Sequence, residues 1–541
     1  MSHRPIAARR VQALLAATFL IGSASCTQRA TQAGSGASGP PKVGPQSGTV
    51  MVVGGGALGP EIVARFIAAA GGPDALIVDI PTAGGDSVYP ATWRGANFLK
   101  AGGAKNVVVL HTTDKKVANS DQFAAPLARA GGVWFEGGRQ WHLVDSYAGT
   151  RTEQAFHDVL ARGGVVGGSS AGASILSSYM LRGARSGNGT IMAPGYEVGF
   201  GFLRGVAIDQ HVVARERLRD LADSLMPRHP ELLGISEDEG TAWVVRGDVA
   251  EIIGRNKAFA YGGAAQTDAR KPFLTLYPGD RYDLAARRVM HRASDDSPVT
   301  RAFVDSLFRN VGGAATVLVA RDGKVLVDQA YGVPDHPRYM PGTTVPNFPL
   351  GELSDPINAL VAQLAIADGK LRLDESLNGS SGVTVGEYLS RAQAVPNGAK
   401  ALADLVAKRT ASGYPQLVAR RIFTPIGAHK TVVDSSAAFA SNVDELYRLE
   451  LGLESSRTFA NDNASNGTAT ASVARDESLG WHVDQYRGLA RWCAFGTADG
   501  RRNAFVRIPD SRLSIIILTD RDGVNAREIA DRIAERLVIQ Q

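Results

Sequence analysis

The residues best placed by type and spacing to do chemistry begin with Gly168-Ser169-Ser170-Ala171-Gly172. This G-x-S-x-G pattern lies between an apolar run, Val165-Val166, and a run from Ser174 to Leu181 that reads as helical. A serine hydroxyl becomes a nucleophile only with a base in hydrogen-bond reach and a third group that orients the base. The flanking glycines permit a turn too tight for a residue with a Cβ. Such a turn lifts the Ser170 hydroxyl clear of a sheet and aims the N–H groups opening the next helix at a developing oxyanion. A plain strand-to-helix turn is the other reading of this motif. The candidate base is His211, in Asp209-Gln210-His211 after the apolar run Val206 to Ile208, with Arg215 and Arg217 read onto a helix beyond. The candidate orienting acid is Glu239, in Gly234-Ile235-Ser236-Glu237-Asp238-Glu239-Gly240-Thr241-Ala242, an acidic run that also reads as a solvated loop. Upstream, Phe135-Glu136-Gly137-Gly138-Arg139-Gln140 ends a strand in a glycine turn whose backbone could add an oxyanion donor.

These segments need a scaffold. Thr49 to Val53, Ala75 to Ile80, Asn106 to Leu110 and Gly132 to Phe135 read as short buried strands, and Pro60 to Ala70 as a helix. Strands alternating with helices predict an α/β fold, a parallel sheet with helices on both faces. Val244-Val245 and Ile252-Ile253 read as closing strands. Gly54-Gly55-Gly56-Ala57-Leu58-Gly59 matches G-x-G-x-x-G, with Asp79 at the end of the next strand. It reads either as a dinucleotide fingerprint or as a tight turn of the same α/β unit.

The chain has 541 residues, 44% of them apolar, enough for two or three domains with ample cores. Its formal net charge of +5 is local. Arg4, Arg9, Arg10, Arg29 and Lys42 precede the first acidic residue, Glu61, and without them the remaining lysines and arginines equal the 53 aspartates and glutamates. A neutral folded part argues against a nucleic-acid surface. Cys26 and Cys493 are the sole cysteines, so no disulfide framework is available. His111, His142, His157, His211 and His229 are scattered, with no H-E-x-x-H, and neither a metal nor a cofactor is expected.

The elbow with Ser-Ala-Gly-Ala, the Gly-Gly-x-Gln turn, Asp-Gln-His with an arginine four residues on, and Gly-Ile-x-x-Asp-Glu-x-Thr-Ala occur in register. Together they resemble the serine peptidases that include cyanophycinase and aspartyl dipeptidase, over roughly residues 50 to 290. Pro278-Gly279-Asp280-Arg281-Tyr282-Asp283-Leu284 fits the same resemblance near its end. The resemblance implies a class I glutamine-amidotransferase-like α/β fold with serine in place of cysteine at the elbow. It implies Ser170 as nucleophile, His211 as base and then acid, and Glu239 as the residue orienting His211. The N–H groups of Gly138 and Ala171 would form the oxyanion hole. Gln140, Asp209, Gln210 and Arg215 would hold a β-aspartyl-arginine unit; by charge, Arg215 suits a substrate carboxylate and Asp209 a guanidinium. Arg139, beside Gln140, could change that preference. An α/β-hydrolase is the rival for the elbow, but its partners run serine, acid, histidine, and here they run Ser170, His211, Glu239.

A second unit starts near Ser297. Ala315 to Ala320 and Val325 to Gln329 flank Asp322-Gly323, a hairpin signature, while 357–368, 400–420 and 525–538 read as helices and 514–519 as a strand. Residues 454 to 475 read as a mobile loop. The hairpin with Tyr331-Gly332, Phe348-Pro349-Leu350-Gly351-Glu352-Leu353-Ser354-Asp355, Asp368-Gly369-Lys370-Leu371, Arg421 to Gly427 and Gly480-Trp481 resemble the serine β-lactamase and penicillin-binding-protein-like fold. In active members the elbow reads F-x-x-G-S-x-x-K; here Glu352 holds the nucleophile position and Asp355 the lysine position. That implies an inactive binding or scaffolding domain.

The N-terminus reads as an export signal, with a basic stretch, an apolar core Val11 to Gly22 and small residues before Cys26. The expected organisation is a signal over 1–26, with a lipid anchor on Cys26 as one outcome and simple secretion as the other. A flexible linker follows over 27–48, then a peptidase domain over 49–295 and a β-lactamase-like domain over 297–541. The expected location is extracytoplasmic: periplasmic, secreted or membrane-anchored. The expected partners are a peptide substrate, with β-aspartyl-arginine the favoured unit, and a second copy in a homodimer. The expected function is an exported serine peptidase cleaving aspartyl or β-aspartyl bonds; the alternative is an inactive extracytoplasmic binding protein built from two enzyme-like domains.

Overall fold

The fold follows from a few buried strands whose ends meet at one place. We describe it in a computed structural model, over residues 42–90, 93, 95–262, 272–309, 313–332, 347–377, 382–390, 395–454, 480–498, 501–520 and 523–538. The expected signal, Cys26 and most of the linker, and all but the first residue of the loop read over 454–475, lie outside these residues. Among the described residues the strands form sheets of nine, five, six and three. No helix among them is long and apolar enough to cross a membrane.

The nine-stranded sheet has a parallel core of β1 (Thr49–Val53), β2 (Leu76–Ile80), β3 (Asn106–Val109), β4 (Gly132–Phe135) and β5 (Val165–Ser169). The Val/Ile-rich runs of β1 and β2 suit strands covered on both faces, whereas the edge strand β3 is partly exposed. A second sheet joins β6 (Ser177–Met180), β7 (Leu203–Gln210) and β8 (Leu233–Glu237) in parallel. Antiparallel strands then extend both sheets. β9 (Thr241–Arg246), β10 (Val249–Gly254), β13 (Arg281–Asp283) and β14 (Arg288–His291) continue the first; β11 (Ala258–Tyr261) and β12 (Leu274–Leu276) continue the second. Register brings the chemistry together: Val53 pairs Ser169, Phe135 pairs Gly168, and Gln210 pairs Glu237. The loops after β1, β4 and β5 therefore leave one edge side by side, as do those after β7 and β8. The helix Pro60–Ala69 buries Ile62, Val63, Phe66 and Ile67 on this sheet, and Phe66 meets Trp134 edge-on at 5.0 Å.

Two local expectations are overturned. The helix read over Ser174–Leu181 is a short turn, Ala171–Ser174, followed by β6. Ile175, Leu176, Ser177, Met180 and Leu181 are all buried, which one helical face does not explain, and from Ser177 on the backbone pairs with β7 and with residues 197–201 rather than with its own preceding turn. The helix read beyond His211 is a series of turns: Arg215 N–H donates to His211 O and Arg217 N–H to Val212 O. In addition, residues 42–44 of the expected linker are tied down, their N–H groups all donating to the Asp248 carboxylate.

The C-terminal region is built on an antiparallel sheet of β15 (Ala315–Arg321), β16 (Lys324–Tyr331), β20 (His482–Tyr486), β21 (Leu489–Ala498), β22 (Arg501–Ile508) and β23 (Leu513–Thr519). The remaining strands, β17 (Phe348–Pro349), β18 (Val432–Val433) and β19 (Phe439–Ser441), form the smallest sheet. The β15–β16 turn has Asp322 and Gly323 at φ 52° and 74°, the left-handed pair a two-residue hairpin requires. Helices Arg301–Phe308 and Ala526–Val538 bury one face of the sheet; Asp355–Ala367, Gly398–Thr410 and Val443–Glu454 lie on the other. The run read as one helix over 400–420 stops at Thr410 and restarts at Tyr414-Pro415, where proline cannot sit in a helix interior.

Candidate active site

Ser170 stands at the bend between β5 and the turn Ala171–Ser174, with φ 58° and ψ −115°. A non-glycine residue rarely adopts positive φ, and one persists there only where the surrounding structure over-determines it. The flanking glycines explain how it is held. A Cβ on Gly168 would lie 2.2 Å from Gly172 O, and one on Gly172 would lie 2.1 Å from Phe135 O. Both positions need glycine because backbone runs against backbone there.

His211 begins the turn after β7, also at positive φ. Its Nε2 lies 2.8 Å from Ser170 Oγ, and its Nδ1 lies 2.6 Å from Glu239 Oε1. Because Nδ1–H donates to the carboxylate, the lone pair on Nε2 faces the hydroxyl. The Gly54–Gly59 turn lies directly beneath. A Cβ on Gly55 would sit 2.2 Å from His211 Cε1, and one on Gly56 would sit 2.6 Å from Glu239 Oε2. These glycines let the backbone underlie the imidazole and carboxylate, which accounts for the G-x-G-x-x-G match without a nucleotide.

Beside Ser170 is the turn after β4: a Cβ on Gly137 would lie 3.4 Å from Ser170 Cβ. Gly138 follows at φ 141°, with no room for a side chain against Ala83 O. Ala171 N–H, next to Ser170, opens the short turn beyond.

A model for peptidase family S51 matches residues 52–253. Over 262 residues the chain is 30% identical to a cyanophycinase of Geminocystis herdmanii, covering 45% of this chain and 96% of that relative. This chain belongs to peptidase family S51. It is a serine peptidase, a hydrolase. Similar solved structures include a peptidase from an acI-B1 Actinobacterium (23% identity, TM-score 0.34, 44% of this chain and 97% of that one). A β-lactamase from Mycobacterium bovis is also similar (19% identity, TM-score 0.34, 43% and 99%).

The S51 peptidase region sorts the acidic run 237–239 into different environments. Glu237 is fully buried, and desolvation raises its carboxyl well above the usual range. Asp238 is buried but accepts N–H bonds from Val213 and Ala214, which fixes the turn carrying His211. Glu239 is held below the usual range, first by its hydrogen bond with His211 and then by one with His429. Glu239 is thus a carboxylate at neutral pH, ready to stabilise an imidazolium.

The residues read as substrate ligands are largely engaged within the chain. Asp209 does not face outward. It is buried and receives a bidentate fork from Arg182, Nε at 2.8 Å and Nη2 at 2.7 Å, and Arg182 also reaches Asp220 at 2.6 Å. The guanidinium that Asp209 was expected to take from substrate is supplied internally, by a buried arginine that no sequence motif singled out. Gln140 is buried and donates to Leu181 O at 2.5 Å. Gln210 donates to Ser174 Oγ at 3.2 Å, while its buried Oε1 has no protein partner among the described residues. Arg215 is exposed. Arg139, through its guanidinium, donates to Ala184 O.

Asp79 is fully buried next to Glu136, the residue before the glycine turn, and Glu136 takes the Trp93 indole N–H at 3.0 Å. Burial first, and Glu136 second, push the Asp79 carboxyl far above its usual range. A carboxyl whose folded pKa is raised stabilises fully below its unfolded value, near 4, and that contribution is lost as pH rises toward the folded value. Asp79→Asn removes this loss. The variant is expected to match wild type in apparent Tm near pH 4 and to exceed it by about 2 °C or more at pH 8, in thermal scans at both pH values.

Proposed function

We propose that this protein hydrolyses β-aspartyl peptide bonds through an acyl-enzyme on Ser170. The observation that carries the reading is the hydrogen-bonded line from Ser170 Oγ through His211 to Glu239 Oε1, on a serine held at positive φ. In the first half-reaction His211 Nε2 removes the hydroxyl proton as Oγ attacks the carbonyl carbon. The tetrahedral oxyanion accepts hydrogen bonds from the N–H groups of Gly138 and Ala171, each donor worth about 3 kcal/mol. His211, now protonated and paired with Glu239, gives its proton to the leaving amine. Water repeats the sequence on the ester and frees Ser170.

The β-aspartyl preference is supported by the relative's name, cyanophycinase. Arg215, exposed four residues beyond His211, is the group we assign to a substrate carboxylate. Export, with or without a lipid on Cys26, rests on the basic and apolar N-terminal run. The C-terminal region is read as β-lactamase-like without acyl-transfer activity. At its elbow Glu352 takes the Thr497 hydroxyl at 3.1 Å, and Asp355 is pushed up to about 7 by burial and by Glu352.

Purified protein incubated with β-aspartyl-arginine, its α-linked isomer and cyanophycin tests the reading, with released amine as the signal. β-Linked substrates are expected to turn over at least ten times faster than the α-linked isomer. Equal rates on both would remove the linkage preference, and no hydrolysis of any aspartyl bond would overturn the proposal.

A further inference from the structure

The loops bearing His211 and Glu239 are backed by the C-terminal region, chiefly by the helix Val443–Glu454. Arg448 on this helix is buried. Its Nε donates to Asn256 Oδ1 at 2.5 Å and its Nη2 lies 3.2 Å from Asp238 Oδ2. Asn256 in turn donates to Glu239 O at 2.5 Å, and Asp238 accepts the N–H groups of Val213 and Ala214 at 3.1 and 2.9 Å. A single guanidinium therefore steadies both the acid and the turn that carries the base. Glu445, earlier on the helix, accepts the Lys430 N–H at 2.6 Å and the Thr431 N–H, anchoring the segment that presents His429. His429 Nε2 lies 3.4 Å from Glu239 Oε2, the oxygen not used by His211.

We infer that His429 and Arg448, from the C-terminal region, are positioning residues of the peptidase site: His429 holds and partly neutralises Glu239 from behind, and Arg448 locks the two loops that bring His211 and Glu239 together. The inference rests on the triad proposed above. It gives the C-terminal region a duty that needs no chemistry at Glu352 or Asp355. The site is complete only when both parts of the chain are present.

The charge consequence has a definite sign. The hydrogen bond with Glu239 holds the His429 imidazole above its ordinary range, so it carries positive charge at mildly acidic pH. The other charged groups around this contact are His211, Asp238 and Arg255 on the peptidase side and Glu445 and Arg448 on the helix. A cation behind Glu239 weakens the hold of that carboxylate on a protonated His211. Removing it strengthens the hold and moves the acid limb of Ser170 reactivity to higher pH.

The test uses the full chain. His429 is half-exposed, with a side-chain exposure of 40%, so His429→Ala leaves the fold in place. Ser170 labelling by a fluorophosphonate is timed across pH, and the ring of His429 is titrated by NMR in wild type and in Glu239→Gln. His429→Ala is expected to slow labelling about tenfold at pH 6 and to raise the acid limb by about 0.5 unit. His429→Gln, which keeps a donor, recovers most of the rate but not the limb. Arg448→Lys, a point charge that cannot fork, lowers kcat with KM unchanged. The His429 titration midpoint is expected to fall by about 0.5 unit in Glu239→Gln. Unchanged labelling and limb in His429→Ala, or the same His429 midpoint in both proteins, would overturn the inference. Wild type that is never labelled would instead reject the triad, while the NMR comparison still reports on the contact.

Discussion

Ser170→Ala is expected to lower kcat on a β-aspartyl-arginine substrate by a factor on the order of 10⁵, with KM little changed. In the proposed mechanism the hydroxyl supplies the bond that forms in the first half-reaction, and alanine leaves nothing for His211 to deprotonate. Residual hydrolysis would come from the oxyanion donors and from substrate placement, which survive the substitution. The structural cost is small. Alanine differs from serine by one oxygen, and the strained backbone at position 170 is set by Gly168 and Gly172, which stay. A progress curve with and without fluorophosphonate pretreatment separates this outcome from contaminating activity. A variant that keeps more than about one per cent of wild-type kcat would remove Ser170 from the mechanism.

Glu239→Gln is expected to lower kcat by about 10³ to 10⁴. The carboxylate now accepts from Nδ1–H at 2.6 Å, which fixes the tautomer that leaves Nε2 free toward Ser170. An amide can turn its NH₂ toward Nδ1, which reverses the tautomer and points an N–H at the hydroxyl. Where it keeps the tautomer, it still lacks the charge that stabilises the imidazolium formed during attack. Loss of that charge also moves the acid limb of kcat/KM to lower pH, opposite to the shift expected for His429→Ala. A pH–rate profile of the two variants side by side distinguishes loss of the carboxylate from loss of its backing. A limb that moves the same way in both would contradict the arrangement.

The acidic run shows where sequence patterns stop. Glu237, Asp238 and Glu239 are chemically close neighbours, and the bare sequence allowed all of them to be a solvated loop. Strand β8 buries Glu237, the turn after β7 and Arg448 claim Asp238, and His211 and His429 claim Glu239. Motif order singled out Glu239 without knowing these fates. Asp209 shows the converse. The family resemblance implied a substrate contact for it, but Arg182, 27 positions earlier, takes both carboxylate oxygens inside the protein. Charge complementarity by itself does not choose the partner, because an internal arginine and a substrate arginine look alike to an aspartate.

The order of small, apolar and polar residues along the chain was sufficient to predict the elbow, the strands around it and the segments that the fold brings next to Ser170. Those signals are local: a bend needs glycine where backbones touch, and a buried strand needs apolar side chains in a row. Only the tertiary structure decided that the Gly54–Gly59 turn lies under the imidazole, that Ser174–Leu181 yields to a strand, and that His429 reaches Glu239. His429 and Glu239 are 190 positions apart, and no periodicity or spacing encodes a contact made when two separately built regions meet.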